Sequence, residues 1–65
     1  MEIRYPDVTV ELSGHDGNAF NVLGRVNRAL KDQGHADAVD AFMAEATSGD
    51  YDHLLQTAMR WVNVE

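Results

Sequence analysis

The residues best suited to bind a ligand lie where a glycine turn meets the start of a helix. Gly14 and Gly17 precede Asn18, and a helix that begins there presents unpaired backbone N–H groups and a dipole that attracts anions. Arg25 and Arg28 follow on the same helix, and arginine can hold a phosphate at two points. The sequence therefore offers these five residues as a candidate site for a small anion or a nucleotide.

The same turn differs from known phosphate-binding loops. A P-loop needs a lysine followed by serine or threonine at fixed places. The segment from Gly14 to Asn18 contains no lysine and no serine or threonine. Asp16 would also repel an anion at this position. A tight connection that ends in a helix cap, provided by Asp16 or Asn18, is the simpler interpretation of the two glycines.

A second cluster of polar residues lies at 50–53, where His53 stands close to Asp50 and Asp52. Residues one or two apart on a helix point in different directions, so these three groups do not converge. Two ligands at most make a weak metal site, and helix capping explains the carboxylates. No spacing elsewhere suggests a nucleophile beside a base. We expect no catalytic residues, no metal and no cofactor, and hence a protein that is not an enzyme.

Basic residues concentrate on the first helix, which carries Arg25, Arg28 and Lys31 out of five lysines and arginines in the chain. On a chain with a net charge of −6, they form a local basic stripe. A solvated helix face is the simplest explanation of such a stripe. The alternative is a docking site for an acidic partner or a phosphate-bearing ligand.

Length and composition limit the class of protein. The 65 residues form one domain, 1–65, and the net charge of −6 argues against binding to nucleic acid or to an anionic membrane. The chain has no cysteine, which fits a reducing compartment, and we expect a cytoplasmic protein. Because so small a core needs close packing or a partner subunit, a homodimer is an open hypothesis.

Hydrophobic periodicity predicts five elements. Alternating apolar residues indicate a strand over 7–13. A helix begins near Asn18 and ends at Gly34, and two further helices cover 36–47 and 50–60. The tail from residue 61 alternates again and is expected to pair with the first strand. The sequence thus predicts a small α+β domain, β-α-α-α-β, with a short two-stranded sheet packed on three helices; the alternative is an all-α three-helix protein.

Two expectations concern packing. Gly24 lies inside the first helix, where glycine costs up to about 1 kcal/mol relative to alanine, so we expect it at a crossing with another backbone. The expected core consists of Val8, Val10, Leu12, Phe20, Leu23, Val26, Leu30, Val39, Phe42, Met43, Leu54, Leu55, Ala58 and Trp61.

Two motifs carry a resemblance. The first is Asp16-Gly17-Asn18-Ala19-Phe20, preceded by Leu12-Ser13-Gly14, and the second is Ser48-Gly49-Asp50-Tyr51-Asp52-His53-Leu54-Leu55. Together they resemble a family of small uncharacterised bacterial and bacteriophage proteins over about residues 8–65. The resemblance implies a compact stand-alone protein of bacteria or their mobile elements, and it assigns no activity and no site residues.

The leading functional hypothesis is a non-enzymatic protein-interaction module that binds a protein partner of unknown identity. The resemblance would make it an accessory protein of a phage or mobile element that acts on a host protein. The alternative is a small-anion or nucleotide binder that uses the Gly14–Asn18 turn together with Arg25 and Arg28.

Overall fold

The computed structural model describes residues 2–12 and 18–65. Its order of elements confirms the predicted α+β domain, and the all-helical alternative is wrong. The elements are strand β1 (Tyr5–Val10), helix α1 (Ala19–Asp32), a 3-10 turn (Ala36–Ala38), helix α2 (Val39–Ala46), helix α3 (Tyr51–Trp61) and strand β2 (Val62–Val64).

The two strands pair as predicted, and they run parallel. Tyr5 lies opposite Val62 and Val10 lies opposite Val64, with an irregular register between the two pairs. Strand β1 begins earlier than expected and contains Pro6, which has no N–H to donate; proline is tolerated on a strand with one free edge.

The start of α1 confirms the predicted cap. The Oδ1 atom of Asn18 accepts a hydrogen bond from the backbone N–H of Phe20 at 2.8 Å, which satisfies one of the donors that a helix start leaves unpaired. The other predicted cap, Asp16, lies outside the described residues.

The end of α1 is also as predicted. Gly34 has a φ of 84°, a backbone conformation that side chains with a Cβ disfavour. This turn lets the N–H of His35 donate to the carbonyl of Leu30 at 2.7 Å. That bond from beyond the helix back into its last turn closes the helix end.

The second half of the chain is more divided than expected. The helix predicted over 36–47 consists of the 3-10 turn followed by α2. Asp50 caps α3, because its Oδ1 atom accepts the N–H of His53 at 2.9 Å. Helix α3 then passes directly into β2, so Trp61 is helical and the final strand is shorter than predicted.

The core sits where the sheet meets the three helices, and most predicted core residues are buried or pack against it. Phe20 is the exception, since 82% of its surface is exposed. The expectation that it belongs to the core is wrong: the buried face of α1 is formed by Val22, Leu23, Val26 and Leu30. No helix in the described part of the chain has both the length and the apolarity to cross a membrane.

Gly24 also differs from expectation. It is exposed on α1, and a Cβ built on it would meet no heavy atom within 4 Å in the described part of the chain. No other backbone among residues 2–12 and 18–65 crosses α1 at this point, so within these residues the predicted close approach is wrong.

Candidate functional site

An open groove of about 530 Å³ runs between β1 and the exposed side of α1. We call it the edge groove. Strand β1 contributes Thr9 and Val10, and Glu11 lies just beyond the end of the strand. Helix α1 contributes Phe20, Gly24, Arg25 and Arg28.

The strand wall of the edge groove is an open sheet edge. The carbonyl of Val10 accepts the N–H of Glu65, and the N–H of Leu12 donates to the carbonyl of Glu65, both at 2.9 Å. In a parallel ladder, residues that bond one neighbour alternate with residues whose backbone groups point to the other edge. The N–H and C=O groups of Thr9 and Glu11 therefore point away from β2. No third strand covers this edge in the described chain.

The helix wall has a different character along its length. Phe20, Gly24 and Arg28 follow each other at intervals of four residues, which places them in one row on the helix surface. The row begins with an exposed aromatic ring, continues with a gap at the glycine, and ends with a guanidinium group. Arg28 forms no ion pair with any described residue.

The structure brings together part of the predicted anion site. Arg25 and Arg28 are both exposed and line the same groove, while Gly14 and Gly17 lie outside the described residues. The backbone N–H of Phe20 bonds to the side chain of Asn18. That of Asn21 donates to the Asn18 carbonyl at 3.1 Å. The start of α1 therefore uses these two donors within the chain.

An Asp–His pair, which the sequence pattern did not indicate, joins β1 to the turn that follows α1. The Nε2 atom of His35 is 3.0 Å from the Oδ2 atom of Asp7. The hydrogen bond with His35 lowers the pKa of the Asp7 carboxyl below its ordinary value of 3.8, with further lowering by the backbone N–H of Asp7 and the charge of His35. The two residues are 28 positions apart, so no local spacing could have indicated the contact.

A row of tilted and edge-on rings connects Tyr5, at the beginning of β1, with Trp61, at the end of α3. The Tyr5 ring lies 4.5 Å from the ring of His35 and 5.8 Å from that of Trp61, measured between centroids. The guanidinium carbon of Arg4 lies 4.4 Å from the Trp61 ring centroid, within the range of a cation–π contact. Phe42 meets the indole edge-on at 5.5 Å. These contacts explain Tyr5, Phe42 and Trp61 as residues that pack the fold.

A serine and a histidine, which no sequence spacing paired, meet at the end of α2. The Oγ atom of Ser48 lies 3.0 Å from the Nε2 atom of His53. His53 Nε2 is also 2.9 Å from the carbonyl oxygen of Glu45, to which the Ser48 hydroxyl donates at 2.7 Å. A carbonyl accepts only, so Nε2 carries a hydrogen and is not free to take the serine proton. The pair therefore closes the end of α2.

Metal ligands do not cluster in the part of the chain that the structure describes: no group of three or more histidines and carboxylates could hold an ion there. Comparison with protein-family models, with curated proteins and with solved structures found no match. The function is therefore inferred from the edge groove.

Proposed function

We propose that this protein is a non-enzymatic interaction module that binds a partner protein through the edge groove. The observation that supports this most directly is the position of Phe20, 82% exposed beside the open edge of β1. Burying a phenylalanine side chain is favourable by about 1.5–3 kcal/mol relative to leaving it in water. Aromatic residues in such positions commonly anchor protein interfaces.

The surroundings of Phe20 strengthen the proposal. Two other large apolar side chains are exposed in the described chain, Tyr51 at 38% and Met59 at 61%, and both lie on α3. Phe20 alone among these three lies next to unpaired strand backbone. An aromatic ring beside open N–H and C=O groups provides the apolar and polar components that a protein interface needs.

The net charge of −6 favours a protein over a nucleic acid as the partner. The resemblance to bacterial and bacteriophage proteins would make that partner a host protein. An accessory role of this kind fits a small module whose contact surface occupies one side of the fold.

A displayed library of random peptides tests the proposal while the identity of the partner is still open. We expect immobilised protein to enrich a family of peptides that the Phe20→Ser variant no longer binds. Met59→Ser is the matched control, because it removes an exposed apolar side chain from α3 and should leave peptide binding unchanged. Enrichment of no peptide above an unrelated acidic protein, or equal binding by the Phe20→Ser variant, would contradict the proposal.

A small anion or nucleotide is the second candidate ligand, and one observation favours it: Arg25 and Arg28 line a single groove. A ligand at 100 times its dissociation constant stabilises a protein by about 2.7 kcal/mol. A thermal-shift screen with phosphate and nucleotides would therefore show a large rise in melting temperature that Arg28→Gln reduces. Absence of a shift with every anion would remove this candidate.

A further inference from the structure

We infer that the partner binds as an extended segment that carries one acidic residue and adds a strand to the open edge of β1. This inference rests on the proposed interaction function and specifies its partner and geometry. Main-chain hydrogen bonds would come from Thr9 and Glu11, whose backbone groups point away from β2. Strand addition to an exposed edge is a recurrent mode of peptide recognition.

Gly24 supplies the second step of the argument. Glycine weakens a helix relative to alanine, and no described residue requires it here, because its missing Cβ would touch no described atom. A residue that lowers helix stability with no return in packing is typical of a functional surface. The gap at Gly24 opens into the edge groove, where it gives a side chain of the incoming segment room to approach the helix backbone.

The spacing along α1 predicts the pattern of the segment. Phe20, Gly24 and Arg28 are separated by steps of about 6 Å along the helix axis, and alternate residues of an extended chain are separated by about 6.6 Å. Three alternate side chains of the segment can therefore match the row. We expect an apolar residue against Phe20, a bulky residue over Gly24 and an acidic residue at Arg28.

Charge supports the acidic end of this pattern. Arg28 lies in the edge groove without an ion pair to any described residue, on a chain that is otherwise strongly acidic. A carboxylate placed there gains a charge-assisted hydrogen bond. Asp32 borders the same end of the groove, so one acidic residue fits this position better than a run of them.

A second copy of this chain fits the edge less well than a free segment. Pairing of two β1 edges would bring the α1 helix of the second copy to the side of the sheet that α1 already occupies. It would also place the Glu11 carboxylates of both copies along one seam, where like charges oppose pairing. A segment without a covering helix meets neither obstacle.

A selected peptide serves as the probe for strand addition. Each backbone N–H of the tightest peptide from the random library is methylated in turn, and binding to the full chain is measured by calorimetry. An added strand directs alternate N–H groups to β1. We therefore expect methylation to weaken binding about tenfold or more at every second residue and to have little effect between them.

Two pairs of variants test the positions on α1. Gly24→Leu should weaken peptide binding about tenfold or more by filling the gap, whereas Ala44→Leu places the same side chain on the exposed side of α2 and should change nothing. Arg28→Glu should weaken binding by a similar factor. Lys31→Glu changes the net charge equally outside the groove and should have a smaller effect. A peptide with lysine in place of its acidic residue should restore binding to Arg28→Glu.

The outcomes separate this inference from the proposed function. Peptides that require Phe20 but show no alternation on methylation, or tolerate Gly24→Leu, would overturn strand addition while the interaction function stands. Failure to bind any peptide would overturn both. A chain that dimerises in sedimentation experiments, with the peptide and the second copy competing, would show that the edge is a self-association surface and would also overturn the inference.

Discussion

Replacing three glycines by alanine one at a time should change stability in opposite directions. Gly24→Ala is expected to raise the free energy of unfolding by up to about 1 kcal/mol, because alanine is the better helix former. The new Cβ meets no heavy atom within 4 Å in the described chain. In a domain of this size, 1 kcal/mol corresponds to a shift of roughly 4–8 °C in melting temperature.

Gly34→Ala provides the matched substitution with the opposite sign. Gly34 has a φ of 84° and no described neighbour that a Cβ would touch, so the cost is purely conformational. A left-handed backbone conformation costs an L-residue roughly 1–2 kcal/mol. Gly49→Ala should destabilise for a different reason, since its Cβ would lie 2.9 Å from the Cβ of His53 and force the turn or the helix to shift.

Thermal and urea unfolding followed by circular dichroism would measure all three variants under identical conditions. The expected order of stability is Gly24→Ala, wild type and then the other two. A Gly24→Ala variant that unfolds more easily than the wild type would refute the reasoning. It would mean that a neighbouring group needs the space at Gly24, and the argument for a gap in the edge groove would fail with it.

The remaining predictions concern the Asp7–His35 pair, the hydrogen bond from Trp61 to Glu45, and the core. The folded-state pKa of Asp7 is lowered by His35, so the ionised carboxylate stabilises the fold above the ordinary value of 3.8. This stabilisation is lost as the pH falls through the lower folded-state pKa. Asp7→Asn should therefore flatten the dependence of unfolding on pH in that range, and an unchanged pH dependence would contradict this. Trp61 Nε1 donates to a carboxylate oxygen of Glu45 at 2.6 Å, so Glu45→Ala should cost about 1–2 kcal/mol in urea unfolding and Glu45→Gln clearly less. Phe42 is fully buried, and Phe42→Ala should cost about 3–5 kcal/mol, enough to leave so small a domain largely unfolded by circular dichroism.

Local signals in the sequence were sufficient for the order of the elements and for the ends of α1 and the start of α3, but not for every boundary. Asn18, Gly34 and Asp50 act through bonds to residues within a few positions, and such bonds can be read from neighbouring residues. The class of fold followed from the order of these elements. The strand pairing was predicted because no other partner was available to either alternating segment.

Errors arose where the orientation of a helix mattered. Phe20 was assigned to the core by counting steps of three and four from it, but each step of three falls short of a full helical turn. Successive steps of three therefore rotate the apolar face around the helix, so that it includes Val22 and Phe20 is exposed to solvent. The expectation for Gly24 failed for another reason: the cost of glycine in a helix was taken to imply a crossing backbone, and no described atom lies within 4 Å of the position of its missing Cβ. Phe20 and Gly24 both line the edge groove instead.

Contacts between distant residues were not predictable from spacing. The Asp7–His35 pair and the bond from Trp61 to Glu45 join elements whose relative placement depends on the whole fold. Within the candidate site, the arginines were recognised by their charge. That Phe20 and Gly24 lie beside the free edge of β1 was not predicted, because it depends on how α1 packs against the sheet.

The parallel pairing of β1 with β2 has a kinetic consequence. The side chain of Asn63 donates to the carbonyl of Pro6 across 57 positions of sequence, and closing a loop of that length costs on the order of 3–4 kcal/mol of chain entropy. Helical turns form far sooner than such long-range pairs. The sheet is therefore expected to form late in folding. Partly folded chains would have helices but not the β1 edge to which a segment could add. Association with a strand-forming segment would thus report the population of molecules that have completed folding.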